Sequence, residues 1–442
     1  MNRQILRLSI PNIINNITVP LVGMADLAIL GHLESEIHIG AIALGGLIFN
    51  FIYAFFSFLR MGTSGFTAQA YGENNKPEMS LIFGRAILFA LTGGIALIVL
   101  QIPIELFSFY LMDGSEQVKE LAREYYRIRI FAAPAALGIL AFSGWFTGMQ
   151  NARYPLYIAI LVNVVNISGN IFFVFGLGLR ADGVAYGTLI AMYSGLFFGS
   201  FLFLRKYNEL IKFWKMNELL SPSKLRRFFK VNVDIIIRTL CLIFTFAFFT
   251  SRSAGMNDTT LAVNTLLLQF LFLFSYLTDG FAYAAEALVG KYTGAKNLSN
   301  LRLAVSSLLR WGVYISVPFA IGYAVFGNKI LLLLTDNQKI IEAVRPYFFW
   351  IILVPVLTFA AFIWDGIYIG ATASSAMRNT LIVSTFLVFL PSYFLFKSAL
   401  GNHGLWLAMM LFMISRGVML TFLSGKYIFK KIDSSSHWKK NP

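Results

Sequence analysis

The sequence predicts an all-α integral membrane protein whose twelve transmembrane helices form two pseudo-symmetric six-helix bundles around a central cleft. Its composition supports this class, since hydrophobic residues make up 57% of the 442 residues and charged residues only 13%. A soluble domain carries about 25% charged residues to cover its surface. Most of this surface is therefore expected to face lipid, and the mean hydropathy of +0.70 agrees. The other two supporting observations are the number of apolar segments and an internal repeat.

Twelve segments are long and apolar enough to cross a bilayer, which takes about 20 helical residues. Helix is the structure expected for each, because backbone groups in lipid must find their hydrogen bonds within the segment. The predicted spans are residues 8–30, 40–60, 84–104, 129–150, 155–178, 183–204, 232–252, 260–283, 308–327, 346–370, 379–397 and 404–425.

The basic residues indicate the orientation in the membrane. The formal net charge is +15, but Lys and Arg lie in short loops between apolar segments rather than in one stripe, which argues against a nucleic-acid partner. With the N-terminus inside, the inner segments carry most of these residues. Both termini are therefore expected in the cytoplasm, and the protein in the cell inner (plasma) membrane. The first apolar segment is too long for a signal peptide and is expected to remain as a helix.

One basic stretch near the middle of the chain predicts the domain organisation. Residues 205–231 form the longest connection and carry eight Lys or Arg. We expect an N-terminal six-helix lobe at 1–204, a basic cytoplasmic linker loop at 205–231, and a C-terminal six-helix lobe with a short basic tail at 232–442. The charge of the linker either fixes the topology or contacts anionic lipid headgroups.

The two halves of the sequence match at an offset of 222 residues. The corresponding glycines are Gly72 and Gly294, Gly144 and Gly366, and Gly148 and Gly370. Because six helices are an even number, both halves face the same way, as in transporters built from parallel repeats. Two such lobes enclose a site near the midplane and rock to alternate access, so the repeat favours a transporter over a channel.

Several stretches carry a family resemblance. They are Pro20–Leu33, Gly62–Ser64 with Gln69–Gly72, Arg227–Thr239, Asp279–Gly290, Asp365–Thr372 and Gly401–Trp406. Through them the chain resembles, over nearly its whole length, the multidrug and toxic compound extrusion (MATE) transporters, and most closely their DinF-type branch. The resemblance implies two six-helix lobes and export of small organic, hydrophobic or cationic compounds by alternating access, coupled to protons or to sodium.

Asp26 is the leading candidate for binding both proton and substrate. It lies in the first helix, six residues after Pro20, which removes a backbone donor and is a candidate hinge. An apolar cleft disfavours the charged form of a carboxyl, so Asp26 could exchange a proton near physiological pH and attract a cation when deprotonated. The resemblance implies the same role. The alternative is a solvated carboxylate near the outer end of the helix.

Asn163, Asn166 and Asn170 form a second candidate feature of the proton and substrate site. Their spacings of three and four place them on one face of the fifth helix. An amide stripe there is expected to face the bundle, either as part of the site or as packing between helices. In the resembling proteins the position of Asn170 is often an aspartate of the proton network. Asn170 cannot titrate, so the coupling is predicted to rest mainly on Asp26.

The C-terminal half offers further ionisable residues. Asp234 and Arg238 are four residues apart and are expected to form a structural ion pair. Asp365, with Asp279 and Glu286, is a possible ion site. In sodium-coupled members of the resembling family an acid on the tenth helix helps to bind the cation together with an acid on the seventh. Arg238 lies near that seventh-helix position, which favours protons over sodium.

Aromatic residues make up 16% of the chain, and they suit flat hydrophobic cations through stacking and cation–π attraction. Most of them are expected to face lipid or pack between helices. The possible cleft-lining residues are Met24, Phe49, Tyr53, Met149 and Tyr193.

The function predicted from these features is a proton-coupled exporter of organic cations or hydrophobic drugs, without a cofactor or metal and monomeric. The sequence has no Gly-Lys-Ser/Thr phosphate loop, no histidines at metal-ligand spacing and no nucleophile–base set, so neither ATP nor enzymatic chemistry is expected. Two alternatives remain open, namely a sodium-coupled exporter and a flippase of lipid-linked oligosaccharides. The flippase would need a cleft lined by arginines such as Arg60, Arg238 and Arg416.

Overall fold

The computed structural model describes residues 1–31 and 36–430, with the backbone course only for residues 19–22, 24–31 and 36. All regular structure in this part of the chain is helical. The long helices are α1 (Asn2–Gly31), α2 (Ile37–Gly72), α3 (Lys76–Val99), α4 (Glu116–Gly148), α5 (Arg153–Gly176), α6 (Ala181–Phe213), α7 (Pro222–Ala254), α8 (Asp258–Gly294), α9 (Leu298–Leu334), α10 (Gln338–Gly370), α11 (Ser374–Leu400) and α12 (Asn402–Phe429).

The predicted multi-pass membrane architecture is confirmed. Within the described residues, the eleven helices α2–α12 are long and apolar enough to cross a membrane. The 30-residue α1 covers the first predicted span. The short helix Gln101–Leu111, which the sequence did not predict as a separate element, connects α3 to α4.

Several helices are longer than their predicted spans. Both α8 and α9 have 37 residues, or about 55 Å at 1.5 Å per residue, whereas the hydrocarbon core is about 30 Å thick. Asparagine caps start these extensions, since the side chain of Asn257 accepts a hydrogen bond from the backbone N–H of Thr260 at 2.7 Å. The hydropathy pattern detects only the apolar middle of each helix and so misses its polar ends.

The segment 205–231, predicted as a linker loop, is mostly helical. Helix α6 continues to Phe213, a helical turn follows at Met216–Leu219, and α7 already begins at Pro222. The charged residues lower the hydropathy of the segment, so a prediction based on hydropathy does not assign a helix there. We refer to residues 205–231 below as the basic segment.

The described chain divides into two compact units. Residues 14–228 form one, here the N-unit, and residues 1–13 group with those from Phe229 onward in the other, the C-unit. Within the C-unit, the hydroxyl of Tyr292 donates a hydrogen bond to Oε1 of Gln4 at 3.0 Å. The first thirteen residues therefore pack with α8 and its neighbours, although chain order predicted them in the N-terminal lobe.

Equivalent backbone contacts recur in the two units at the offset of 222 residues. In the N-unit, Gly144 faces the backbone carbonyl of Arg60, and in the C-unit Gly366 faces that of Ala282. A Cβ at Gly148 would lie 2.8 Å from the carbonyl oxygen of Ser64, and one at Gly370 would lie 2.6 Å from that of Glu286. Each residue of an N-unit contact lies 222 positions before its equivalent in the C-unit contact. The duplicated sequence therefore folds into duplicated helix packing.

The turns repeat in the same way. All four non-glycine residues with positive φ in the described chain form two pairs at this offset, Asn74 with Lys296 and Gln150 with Thr372. Their φ angles of 53° and 54°, and of 61° and 49°, match within each pair. The left-handed conformation is costly for residues with a Cβ. Its recurrence at equivalent positions supports the internal duplication.

The close packing of these glycines makes a testable prediction. Gly144→Ala and Gly366→Ala would drive a methyl group into the backbone of Arg60 and of Ala282, and each substitution is expected to cost about 1–3 kcal/mol of stability. Gly322→Ala is the matched control, because open space surrounds that helical glycine. Thermal unfolding of the purified variants in detergent checks this. Equal melting temperatures for all three variants would contradict the assigned helix contacts.

Candidate functional site

Three predicted site residues, Pro20, Met24 and Asp26, lie on α1. The backbone of α1 is helical through all three positions. Their side chains lie outside the described residues. The proposed roles of Asp26 in proton binding and of Pro20 as a hinge therefore stay predictions.

A buried polar network joins α5 to α6 in the N-unit. Nδ2 of Asn166 donates to the hydroxyl of Thr188 at 3.0 Å, and Nδ2 of Asn170 lies 3.4 Å from Oδ1 of Asn166. Both asparagines are buried, whereas Asn163 on the same helix is half-buried. The predicted amide stripe is thus present, and Thr188 is a member that the spacing within α5 could not reveal.

Close approach of the two helices brings this network together. The backbone of Gly187 on α6 contacts the side-chain amide of Asn170, so any larger residue at position 187 would push against it. Immediately after Asn170, α5 ends in the π-helical turn Phe172–Gly176. Such turns occur frequently at functional sites. The arrangement places hydrogen-bonding groups in an apolar bundle without adding a charge.

The predicted cleft-lining residues whose side chains are described belong to different packing clusters. Phe49 is fully buried, stacked on Tyr126 with ring centroids 5.5 Å apart. Tyr53 packs against the same cluster, while Met149 belongs to a different hydrophobic cluster in the N-unit. Phe49 is therefore a core residue rather than a lining residue, because its ring has no exposed surface to offer a substrate.

Tyr193 has a separate environment on α6. Its hydroxyl donates to the backbone carbonyl of Phe131 at 3.1 Å. A cation–π contact that sequence reasoning missed lies in the Phe49 cluster, where the guanidinium of Arg129 lies 4.7 Å from the centroid of the Phe49 ring. Arg129 reaches it from α4, and no spacing along α2 could have identified it.

The C-unit contains a buried charged triad, formed by Arg238 on α7, Asp365 on α10 and Arg416 on α12. Nη2 of Arg416 donates to Oδ2 of Asp365 at 2.7 Å, and Nη2 of Arg238 donates to the same oxygen. The three residues are 8%, 5% and 1% exposed. Charges buried this deeply must be paired, because an isolated ion loses most of its solvation.

The charge balance of this triad differs from that of an unpaired carboxylate. Two guanidinium groups face one carboxylate, so the three groups together carry a positive charge. The carboxylate of Asp279 on α8 adds a further through-space attraction to Arg416. A sodium site instead needs oxygen ligands whose negative charge is not already neutralised by other cationic groups. In this structure two arginines form ion pairs with the carboxylate of Asp365.

The predicted ion pair between Asp234 and Arg238 is not formed. Asp234 instead accepts hydrogen bonds from Arg378 and, at 2.8 Å, from the hydroxyl of Ser374, both on α11. The four-residue spacing permits the predicted pair on an isolated helix. In the folded unit the two side chains face different neighbouring helices, and each finds an opposite charge there.

The other two predicted acids lie on α8. Glu286 is buried, and Asp279 is half-buried. The hydrogen-bond partners of Asp365 are arginines rather than these acids. The structure thus brings Asp365 together with Arg238 and Arg416. Arg238 is 127 residues and Arg416 is 51 residues from Asp365 in the sequence, so spacing along one helix could not predict this group.

A second buried network of the C-unit was also missed. Asn264 on α8 bonds Asn402 on α12 at 2.7 Å, and its Oδ1 accepts a hydrogen bond from the indole of Trp406 at 2.8 Å. Ser253 at the end of α7 accepts a further bond from Asn264. Every polar atom of the Asn264 side chain is used, which indicates a structural role for this network.

Comparison with known proteins identifies the family. A family model described as MatE matches residues 11–172 and 235–394, one match in each half of the chain. The chain is a member of the MATE family. As a MATE protein it is a multi-pass membrane transporter of the multidrug and toxic compound efflux type, not an enzyme.

Relatives cover nearly the whole MATE chain. DNA damage-inducible protein F of Escherichia coli is 35% identical over 427 residues, which cover 95% of this chain and 91% of that protein. Protein DETOXIFICATION 44, chloroplastic, of Arabidopsis thaliana is 26% identical and covers 93% and 80%. The probable multidrug resistance protein NorM of Thermotoga maritima is 23% identical and covers 97% and 93%. The resemblance to the DinF-type branch is confirmed by the first of these.

Solved structures confirm the MATE fold. A MATE transporter in a straight conformation matches with a TM-score of 0.87 at 22% identity, covering 98% of this chain and 96% of that chain. A MOP superfamily transporter from Pyrococcus furiosus matches with a TM-score of 0.86 at 20% identity, covering 97% and 96%. At such identities the similarity establishes the fold alone.

The charged triad gives a stability prediction. Asp365→Asn leaves two buried guanidinium groups without their counter-charge, which is expected to lower the free energy of unfolding by about 3–5 kcal/mol. Asp336→Asn is the matched control, because Asp336 is exposed between α9 and α10. Unfolding of both variants in mixed micelles measures the difference. If Asp365→Asn unfolds like the control, the triad does not carry the charge balance assigned to it.

Proposed function

We propose that this MATE transporter exports small organic, hydrophobic or cationic compounds in exchange for protons by alternating access, with Asp26 as the proton- and substrate-binding acid. The protein would act as a monomer in the cell inner membrane, with both termini in the cytoplasm. The binding of a cation and of a proton would compete for the same carboxylate. Protonation on one side of the membrane would then release the substrate there.

The observation that carries the choice of protons is the pairing of Asp365 with Arg238 and Arg416. Sodium binding at Asp365 would have to displace two buried guanidinium groups, each of which would lose its partner. Proton coupling at Asp26 makes no such demand on the C-unit. The sodium-coupled alternative is therefore disfavoured on electrostatic grounds.

The N-unit supports the proposal in a second way. Asn166, Asn170 and Thr188 supply neutral hydrogen-bonding groups in its interior. Neutral groups can stabilise a carboxyl in either protonation state, because an amide both donates and accepts hydrogen bonds. A single titrating acid is sufficient for one-proton exchange.

The flippase alternative required arginines that line a cleft. Arg238 and Arg416 are buried within the C-unit and bond Asp365. Guanidinium groups committed in this way are not available to the diphosphate of a lipid-linked sugar. Exchange of organic cations is the function that fits these residues better.

The role of Asp26 is tested by its neutral isostere. Asp26→Asn is expected to abolish ethidium efflux from energised cells, because the amide neither titrates nor attracts a cation, while the amount of protein in the membrane stays unchanged. Asp113→Asn provides the control, since Asp113 is exposed and lies outside the helices. Efflux at the wild-type rate by the Asp26 variant would refute the proposed mechanism.

The coupling ion is tested separately in proteoliposomes. Ethidium transport is measured with an imposed proton gradient at equal sodium, and with an imposed sodium gradient at equal pH. We expect the proton gradient alone to drive uphill transport. Transport driven by sodium alone would reverse the assignment of the ion while leaving the exporter function standing.

A further inference from the structure

An apolar cavity of about 300 Å³ lies within the N-unit, between α3, α4 and α6. Aromatic side chains form much of its wall, including Phe83, Phe142, Phe203 and Trp214. Ser200 contributes the only hydroxyl in the lining, and that hydroxyl donates to the carbonyl of Leu196 in its own helix at 2.9 Å. The cavity therefore offers no free polar group and suits a hydrocarbon occupant.

The basic segment builds one side of this cavity. Ile211 and Trp214 belong to the segment and line the cavity. The indole of Trp214 donates to the backbone carbonyl of Ser80 at 3.2 Å. Nε of the buried Arg85 donates to the carbonyl of Leu219 at 3.0 Å. The segment is thus fixed to α3 rather than free, and the cavity is a built feature of the unit.

The cavity borders the apolar outer surface of the bundle. Phe197 is 68% exposed and Leu204 is 51% exposed, and both also line the cavity. We infer that these exposed apolar side chains of a membrane-spanning helix face acyl chains. A hydrocarbon chain can therefore enter from the bilayer without crossing a polar barrier.

Charge identifies the class of molecule that carries this chain. The basic segment has eight Lys or Arg against two Glu. Lys212 and Lys215 flank the lining residues Ile211 and Trp214 in sequence, and both lysines are exposed. Clustered basic residues beside the membrane attract anionic lipid headgroups. The apolar cavity suits the acyl chain of an anionic phospholipid, and Lys212 and Lys215 suit its headgroup.

We propose that the N-unit binds one anionic phospholipid here, with an acyl chain in the Phe83–Trp214 cavity and the headgroup against Lys212 and Lys215. The basic segment then serves as a lipid-binding element in addition to connecting the units. The described residues of this site do not include the charged triad.

Native mass spectrometry of the purified full chain tests the proposal, with titrations of palmitoyl-oleoyl phosphatidylglycerol and of its phosphatidylcholine analogue. Wild type is expected to retain one phosphatidylglycerol more tightly than phosphatidylcholine. Lys212→Gln with Lys215→Gln should weaken phosphatidylglycerol binding roughly 30-fold, about fivefold for each lysine, and leave phosphatidylcholine unchanged. Lys329→Gln with Lys339→Gln, both exposed in the C-unit, is the charge-matched control.

A second variant tests the cavity itself. Ser200→Phe fills the cavity and should remove retention of either lipid, while Ser168→Phe on the exposed face of α5 should not. Equal retention of the two lipids by wild type, or unchanged phosphatidylglycerol binding by the lysine variant, would overturn the proposal. The lysine variant decides the question even if Ser200→Phe fails to fold, because its substitutions are at exposed positions.

Discussion

One carboxylate between two guanidinium groups links three helices of the C-unit. Asp365, Arg238 and Arg416 come from three different helices and meet at a single carboxylate oxygen. Since buried ions without partners are costly, α7, α10 and α12 can change their packing only if this triad moves together or re-pairs. The same pairing is the observation on which we base the proposal that Asp365 does not bind the coupling ion.

The two units share a backbone plan and differ in their polar interiors. The glycine contacts of α2 with α4 recur between α8 and α10 at equivalent positions. The residues 222 positions before Arg238, Asp365 and Arg416 are Asn16, Ser143 and Ser194, none of which is charged. Conversely, the residues 222 positions after Asn166 and Thr188 are Val388 and Met410, neither of which is polar. The packing is therefore common to both units, whereas the charged triad of the C-unit and the Asn166–Thr188 network of the N-unit are not repeated at the equivalent positions of the other unit.

Composition and periodicity were sufficient to predict the helical fold, because lipid imposes one solution on every long apolar segment. They were not sufficient to predict the polar ends of helices. In the basic segment, for example, the charged residues lower the hydropathy, so a hydropathy pattern does not detect that the segment is helical. Within the site, the amide stripe on α5 follows from spacing along one helix. The partners Thr188 and Arg416 lie on other helices, and the wrong pairing of Asp234 with Arg238 arose because local spacing cannot show which neighbouring helix each side chain faces.

We propose that one acid in the N-unit, rather than an acid of the C-unit, carries the coupling ion. The most direct measurement is the number of protons released when purified protein binds ethidium in weakly buffered detergent solution. We expect about one proton to be released per ethidium bound by wild type and none by Asp26→Asn, with sodium having no effect on either. Release of a full proton by Asp26→Asn, or ethidium displacement by sodium in wild type, would contradict it.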